Sequence, residues 1–156
     1  MKIKALTLWQ PWASLMALGH KTVETRSWKA NHLGLLAIHA AKRPMGYNER
    51  ELLGSISCGK GAIRPTGDIP YGAVVCIVNV TGYMPTEKFS PNNICFVIDG
   101  FSPYEQHLGD YSPGRWGWTT ELVFRLTEPI PCQGHQGLWL WDVPAEIERE
   151  LLEEGK

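Results

Sequence analysis

The segment from Leu6 to Ala40, LTLWQPWASLMALGHKTVETRSWKANHLGLLAIHA, combines helix and strand patterns and decides the fold that we predict. A proline in the first turn and Gly19 just past the end favour a short helix over 11–18. Polar and apolar residues then alternate over 21–28, as they do in a strand that is exposed on one face. The apolar run Leu35–Ala40 predicts a second strand, buried on both faces.

The rest of the chain predicts mostly short strands with few helices. Two stretches rich in turn-forming residues, 54–70 and 99–118, are expected to be loops. The other predicted strands are 3–8, 72–80, Ile94–Ile98, Thr119–Thr127 and 137–141, and the other helices are 45–53 and a C-terminal one over about 143–153. We therefore expect a mainly β fold with peripheral helices (α+β), a closed or nearly closed β-barrel in a single domain over 1–156.

Composition excludes several classes of protein. The 156 residues are 44% apolar, which is too apolar for a disordered chain. No apolar run approaches the length of a membrane span and no signal peptide is recognisable, so we expect a cytoplasmic protein that does not enter a membrane. The four cysteines lack CxxC spacing, and phosphate-binding glycine loops are absent. We expect no metal and no cofactor, and the sequence leaves the oligomeric state unknown.

Positive charge is concentrated in the first part of the chain. Residues 1–43 carry seven basic side chains and one acidic side chain, a net charge of +6, whereas the whole chain carries −1. A local basic segment can attract a polyanion even when the protein is close to neutral. The charge pattern therefore favours RNA or another single-stranded nucleic acid as a partner.

The single acid of this segment lies within the predicted strand 21–28. Side chains alternate along a strand, so Thr22, Glu24, Arg26 and Trp28 are expected on one face. Unpaired charges are costly to bury, so this face should meet a cleft, with Lys21 at its mouth. Arg26 would hold a phosphate or a base edge and Trp28 would stack on a base. A solvent-facing strand with a Glu24–Arg26 ion pair is the alternative.

Three further residues are candidates for the same cleft. Arg115 and Trp116 lie between two glycines in SPGRWGW, and an arginine beside a tryptophan suits phosphate contact and base stacking. His39 ends the run LLAIH and is either a ligand-binding histidine or a buried structural one.

The chain resembles ASCH domains, which are similar in fold to the PUA domains of RNA-modifying enzymes. The resemblance covers roughly residues 3–143. The matching residues are Gln10-Pro11-Trp12, Gly19, Lys21, Glu24, Arg26, Trp28, Gly34, His39-Ala40, Gly114-Arg115-Trp116, Pro129-Ile130-Pro131 and Gly137-Leu138-Trp139.

This resemblance implies a PUA-like β-barrel with a cleft lined by the GxKxxExR segment, and a family widely proposed to bind RNA. Some small bacterial members hydrolyse the acyl-amide of N4-acetylated cytidine with a GxKT lysine, a threonine three residues later and a distant glutamate. Lys21 and Thr22 match the GxKT segment here. Glu24 occupies the position of the catalytic threonine, and the strand Ala73–Val80 contains no glutamate where the distant one is expected.

Three functions follow as hypotheses. The first is an RNA- or nucleobase-binding module with a cationic, aromatic-lined cleft. The second is a small amidohydrolase acting on an N4-acylated cytidine or a related modified nucleoside. In that enzyme, Lys21 would be an activated amine, Glu24 the general base and Thr22 a positioning hydroxyl. The third is a regulatory protein-interaction domain.

Overall fold

The computed structural model describes residues 1–57, 69–89 and 105–154. Six strands form one curled sheet, a half-barrel, in the order β2-β5-β4-β3-β1-β6. In chain order the elements are β1 Lys2–Leu8, α1 Trp12–Ala17, β2 Val23–Arg26, β3 Gly34–Ala40, α2 Tyr47–Ser57, β4 Ala73–Pro85, β5 Trp116–Pro131, β6 Leu138–Asp142 and α3 Ala145–Glu154. The predicted fold class, mainly β with peripheral helices, is confirmed.

The sheet is antiparallel except where β1 pairs with β3 in parallel. The longest strands, β4 and β5, pair along most of their length with register shifts at three places. Each shift inserts unpaired residues that bend and twist the strands, which accounts for the curl of the sheet. In the described residues β2 and β6 pair on one side only, so the barrel is half-formed rather than closed.

Both faces of β3 are buried, as its sequence predicts. Leu36, Ile38 and Ala40 face a core that α1 covers, whereas Ala37 faces a second core. Two residues of α3 at helical spacing, Ile147 and Leu151, pack against this second core. Because α1 covers only one face, the loops around it are free to frame a cleft.

The structure differs from the sequence predictions at several boundaries. The predicted loop 99–118 contains a 3₁₀ turn at Glu105–Leu108, and its last residues belong to β5. Leu122, Phe124 and Leu126 alternate with polar residues and predict a common apolar face for the strand Thr119–Thr127. This prediction is wrong, since Leu122 is 42% exposed while Leu126 is 4% exposed. A bulge between these residues, where Val78 pairs with Leu122 and Ile77 with Phe124, breaks the alternation.

Two other predictions concern segments outside the described residues. The predicted strand Ile94–Ile98 lies there entirely, as does most of the predicted loop 54–70, whose first residues instead continue α2 to Ser57. No helix in the described ranges is long and apolar enough to cross a lipid bilayer.

Candidate functional site

The start of β2 is fixed by a buried carboxylate that is distant in sequence. Glu105 is 1% exposed. Its Oε1 accepts a hydrogen bond from the backbone N–H of Val23 at 3.0 Å, and its Oε2 accepts from the backbone N–H of Thr22 at 3.0 Å and from the Thr22 hydroxyl at 3.2 Å. Hydrogen bonds to a charged acceptor are the stronger ones in proteins. Glu105 therefore holds the chain between the Gly19 turn and the strand in one conformation.

This turn directs Lys21 inward. The Lys21 side chain is 1% exposed, and its ammonium donates to the backbone carbonyls of Val23 and of Leu108, the latter at 2.9 Å. The ammonium also lies 3.5 Å from Oε2 of Glu24. Two of its three donors are thus used by backbone carbonyls, and the Glu24 carboxylate supplies a counter-charge.

Glu24 lies between two cations. Its Oε1 is 2.9 Å from Nε of Arg26, while its Oε2 faces Lys21. No acceptor in the described residues is aligned with the Nε–H bond of Arg26, so this contact is a charge pairing rather than a directed hydrogen bond. The Arg26 Nη2 donates to the Thr7 carbonyl at 3.3 Å, and 28% of the side chain remains exposed. Arg26 thus keeps donors free to meet a ligand.

These residues line a cavity of about 530 Å³, which we call the first cleft. Arg115 lies on its other side, where its Nε donates to the Asp110 carbonyl at 3.1 Å and its Nη2 to the Thr25 carbonyl at 3.4 Å. The lining contains three basic side chains, Lys21, Arg26 and Arg115, and two acidic ones, Glu24 and Asp110. The first cleft therefore has a surplus of positive charge.

Two tryptophans complete the first cleft, Trp9 and Trp12. They flank Gln10, which is fully buried, donates through Nε2 to the Pro70 carbonyl at 2.7 Å and accepts from the Ser14 N–H at 3.0 Å. That second bond satisfies a free amide at the start of α1. Trp9 is 52% exposed, with the Arg43 guanidinium 4.0 Å from its ring centroid. An exposed indole at a cleft is a stacking surface for a base.

Four predicted site residues do not line the first cleft. The Thr22 hydroxyl bonds Glu105 instead. Trp28 packs edge-on against the buried Trp118, with ring centroids 4.7 Å apart. Trp116 lies against Tyr83 and Lys29. The remaining one, His39, is 1% exposed and lines a neighbouring cleft.

This second cleft has a volume of about 880 Å³ and shares Thr7, Trp9 and Arg26 with the first. Nε2 of His39 lies 3.0 Å from the Cys132 carbonyl, which can only accept, so Nε2 carries the proton. Burial lowers the pKa of His39 below its usual 6.5. His39 is therefore a neutral imidazole at the base of the second cleft.

Sequence reasoning placed Lys21, Glu24, Arg26 and Arg115 at one cleft, and all four line the first cleft. It wrongly placed Lys21 at the mouth: the side chain is 1% exposed, because the turn before β2 directs it inward. It missed Glu105 because the residue lies in a segment predicted as an irregular loop, 83 positions from Thr22. It did not single out Trp9 or Trp12 as cleft residues, although the two indoles lie on either side of Gln10-Pro11. Among the described residues, no group of three histidine, cysteine or carboxylate side chains could hold a metal ion.

Comparisons with known proteins support the resemblance to ASCH domains that the sequence indicated. Residues 6–121 match the ASCH domain family. Over 86 residues, the chain is 35% identical to activating signal cointegrator 1 of Homo sapiens and of Mus musculus, and the match covers 54% of this chain and 15% of each relative. The chain thus corresponds to a small part of those proteins.

A crystal structure of ASCH from Zymomonas mobilis superposes with a TM-score of 0.50 at 14% identity, over 96% of this chain and 93% of that chain. At this level of identity the likeness concerns the fold alone. The match confirms the predicted PUA-like fold.

Proposed function

This chain belongs to the ASCH domain family, which has a PUA-like fold and is associated with RNA binding, and we propose that its first cleft binds single-stranded RNA. One observation carries the proposal. Arg26 and Arg115, which lie far apart in sequence, line the same cavity together with Trp9 and Trp12. Cationic groups beside aromatic rings form the usual surface for a single strand, since the charges meet phosphates and the rings meet bases.

The two arginines supply the electrostatic part of the binding. Their side chains are 28% and 27% exposed, so each guanidinium is held in place by protein contacts yet reaches solvent. Guanidinium groups match phosphate oxygens in a fork geometry. Lys21 contributes charge rather than direct contacts, because its side chain is 1% exposed and its ammonium donates to two backbone carbonyls and pairs with Glu24. Binding should therefore weaken as salt rises.

The tryptophans supply the part that does not depend on charge. Stacking of a base on an aromatic side chain contributes about 1–3 kcal/mol and tolerates every base. Glu24 lies at the base of the same cavity and retains acceptor capacity beyond its two charge contacts. A base amine can therefore donate to this carboxylate, which gives the cleft a means of distinguishing bases.

Hydrolysis of an acylated nucleoside would require a different state of Lys21. The amine would have to be free to take or to give a proton, whereas its donors here meet Val23, Leu108 and Glu24. A distant glutamate does contact the GxKT segment, at Glu105, but its oxygens accept from Thr22 and Val23. These contacts support a structural use of both groups and favour binding over catalysis.

Fluorescence anisotropy with a labelled single-stranded RNA tests the proposal. We expect the wild-type protein to bind at low salt, and Arg26→Gln and Arg115→Gln each to weaken binding about tenfold. Each substitution should also reduce the slope of log affinity against log salt concentration by about 0.7, the value for one phosphate contact on a single strand.

The matched control is Arg149→Gln, which removes an exposed arginine on α3. Circular dichroism should show that all three variants are folded at the assay temperature. If the wild-type protein does not bind RNA at low salt, or if Arg149→Gln weakens binding as much as the cleft variants, the proposal is wrong.

A further inference from the structure

The second cleft has a different chemical character from the first. Its lining residues include the basic Arg26 and Lys42 and the imidazole of His135, and they include no carboxylate. The first cleft, by contrast, contains two carboxylates, Glu24 and Asp110, which offset part of its positive charge. A cavity with cationic and amide groups but no acid favours an anion over a base.

The loop at one side of the second cleft is held against the sheet by contacts with His39 of β3. This loop, residues 133–137 (QGHQG), follows Cys132, whose carbonyl accepts the His39 Nε2–H. A Cβ atom on Gly134 would lie 2.5 Å from Nδ1 of His39, so only glycine lets the loop backbone lie this close to the imidazole. His135 packs edge-on against Trp139, which also contacts His39. The loop is therefore held in a defined position over the cleft.

Lys42 is also positioned by the fold. It lies two residues after the end of β3, and its aliphatic chain lies against Gly72, where a Cβ atom would be 2.7 Å from Cγ of Lys42. Gly72 also has a φ of +65°, a backbone conformation that favours glycine whatever its neighbours are. Lys42 is exposed and lines the second cleft, and the packing against Gly72 restricts its aliphatic chain.

The two clefts are adjacent, since Thr7, Trp9 and Arg26 line both. We propose that the second cleft binds the phosphodiester group adjacent to the nucleotide held in the first cleft, with Lys42 as its main cation and Arg26 at the boundary. One strand of RNA then crosses both cavities. This inference rests on the proposed RNA-binding function and assigns a ligand group to the second cleft. His39 acts as a positioning residue, because its Nδ1 is covered by Gly134.

The experiment measures anisotropy of a labelled single-stranded RNA with Lys42→Gln, Lys42→Arg and the control Lys2→Gln. Lys2 is exposed at the opposite end of β1 from Thr7, beside Asp142. We expect Lys42→Gln to weaken binding about fivefold to tenfold and to reduce the salt slope by about 0.7. Lys42→Arg should restore both values, and Lys2→Gln should leave both unchanged.

A second measurement uses the same RNA carrying one uncharged methylphosphonate linkage, moved along the strand in a series. At one position the neutral linkage should weaken binding by the wild-type protein and have little further effect on Lys42→Gln. If no position shows this dependence, or if Lys42→Gln behaves like Lys2→Gln, the second cleft is not a phosphodiester site.

The outcomes separate this inference from the function on which it rests. RNA binding that Arg115→Gln weakens but Lys42→Gln does not would refute the second cleft and leave the first. Absence of RNA binding by the wild-type protein would refute both. Gly134→Ala adds a structural check: its Cβ should displace the loop and lower the affinity, yet leave the salt slope close to that of the wild-type protein because no charge is lost.

Discussion

Replacing Glu24 by glutamine should destabilise the protein strongly, although the two side chains have nearly the same shape. The carboxylate lies 3.5 Å from the Lys21 ammonium and 2.9 Å from Nε of Arg26, and its side chain is 10% exposed. The substitution removes the carboxylate charge that lies 3.5 Å from the Lys21 ammonium, whose side chain is 1% exposed. The magnitude of the effect therefore depends mainly on Lys21 rather than on the partly solvated Arg26.

Removing one partner of a buried ion pair typically costs about 3–5 kcal/mol. Two backbone carbonyls still accept from Lys21 after the substitution, and water screens the Arg26 share of the interaction. We therefore expect a loss of about 3 kcal/mol in the free energy of unfolding, which corresponds to a fall in Tm of about 6–12 °C for a chain of this size.

A double-mutant cycle isolates the contribution of the ion pair. Urea unfolding followed by tryptophan fluorescence would be measured for the wild-type protein, Lys21→Met, Glu24→Gln and the double variant. We expect a coupling energy of about 1–3 kcal/mol, because the second substitution removes a charge that the first left unpaired. Glu121→Gln, at an exposed position on β5, serves as the control and should change stability by less than about 0.5 kcal/mol. Strict additivity of the two substitutions would refute the reasoning.

Three further predictions follow from buried contacts. Glu105→Gln should lower the free energy of unfolding by about 2–4 kcal/mol in urea titrations. The reason is that a buried carboxylate, which accepts from Thr22 and Val23, becomes an amide with one acceptor oxygen. A loss below about 1 kcal/mol would contradict the anchoring role of Glu105. Gly117→Ala should lower stability by about 1–3 kcal/mol, since the new Cβ would lie 2.5 Å from the Phe89 ring, and an unchanged Tm would contradict the close approach. The pKa of His39 is lowered by burial, so the unfolded chain takes up its proton first and stability should fall as pH drops below about 6.5. Thermal unfolding from about pH 7.5 to about pH 5 should show a smaller decline in His39→Gln than in the wild-type protein, and equal declines would refute a neutral His39.

Much of the fold could be predicted from local patterns in the chain. The alternation around β1 and β2, the buried run of β3 and the proline and glycine at the ends of α1 each act over a few residues. Ile147 and Leu151 stand four residues apart, a spacing that puts them on one face of a helix, and this face of α3 packs on the sheet. Such patterns are reliable because side-chain direction follows directly from the repeat of a strand or a helix.

The errors arose where distant contacts override the local pattern. Leu122 is exposed because a bulge between β4 and β5 breaks the alternation, and the position of a bulge depends on the partner strand. Trp28 was expected in the cleft from alternation with Arg26, but β2 ends at Arg26 and the indole turns to pack on Trp118. Alternation has no predictive value once the strand has ended.

The sequence by itself determined the chemical groups of this protein: a basic first segment, one carboxylate between a lysine and an arginine, and tryptophans around a proline. Only the tertiary structure decided which of these groups meet. It buried Lys21 beneath Glu24, placed Glu105 against the start of β2, and brought Arg115 to Arg26 across a cavity. The physical reason is that side-chain type and repeat are local properties, whereas burial and charge pairing depend on how the sheet curls and brings distant segments together.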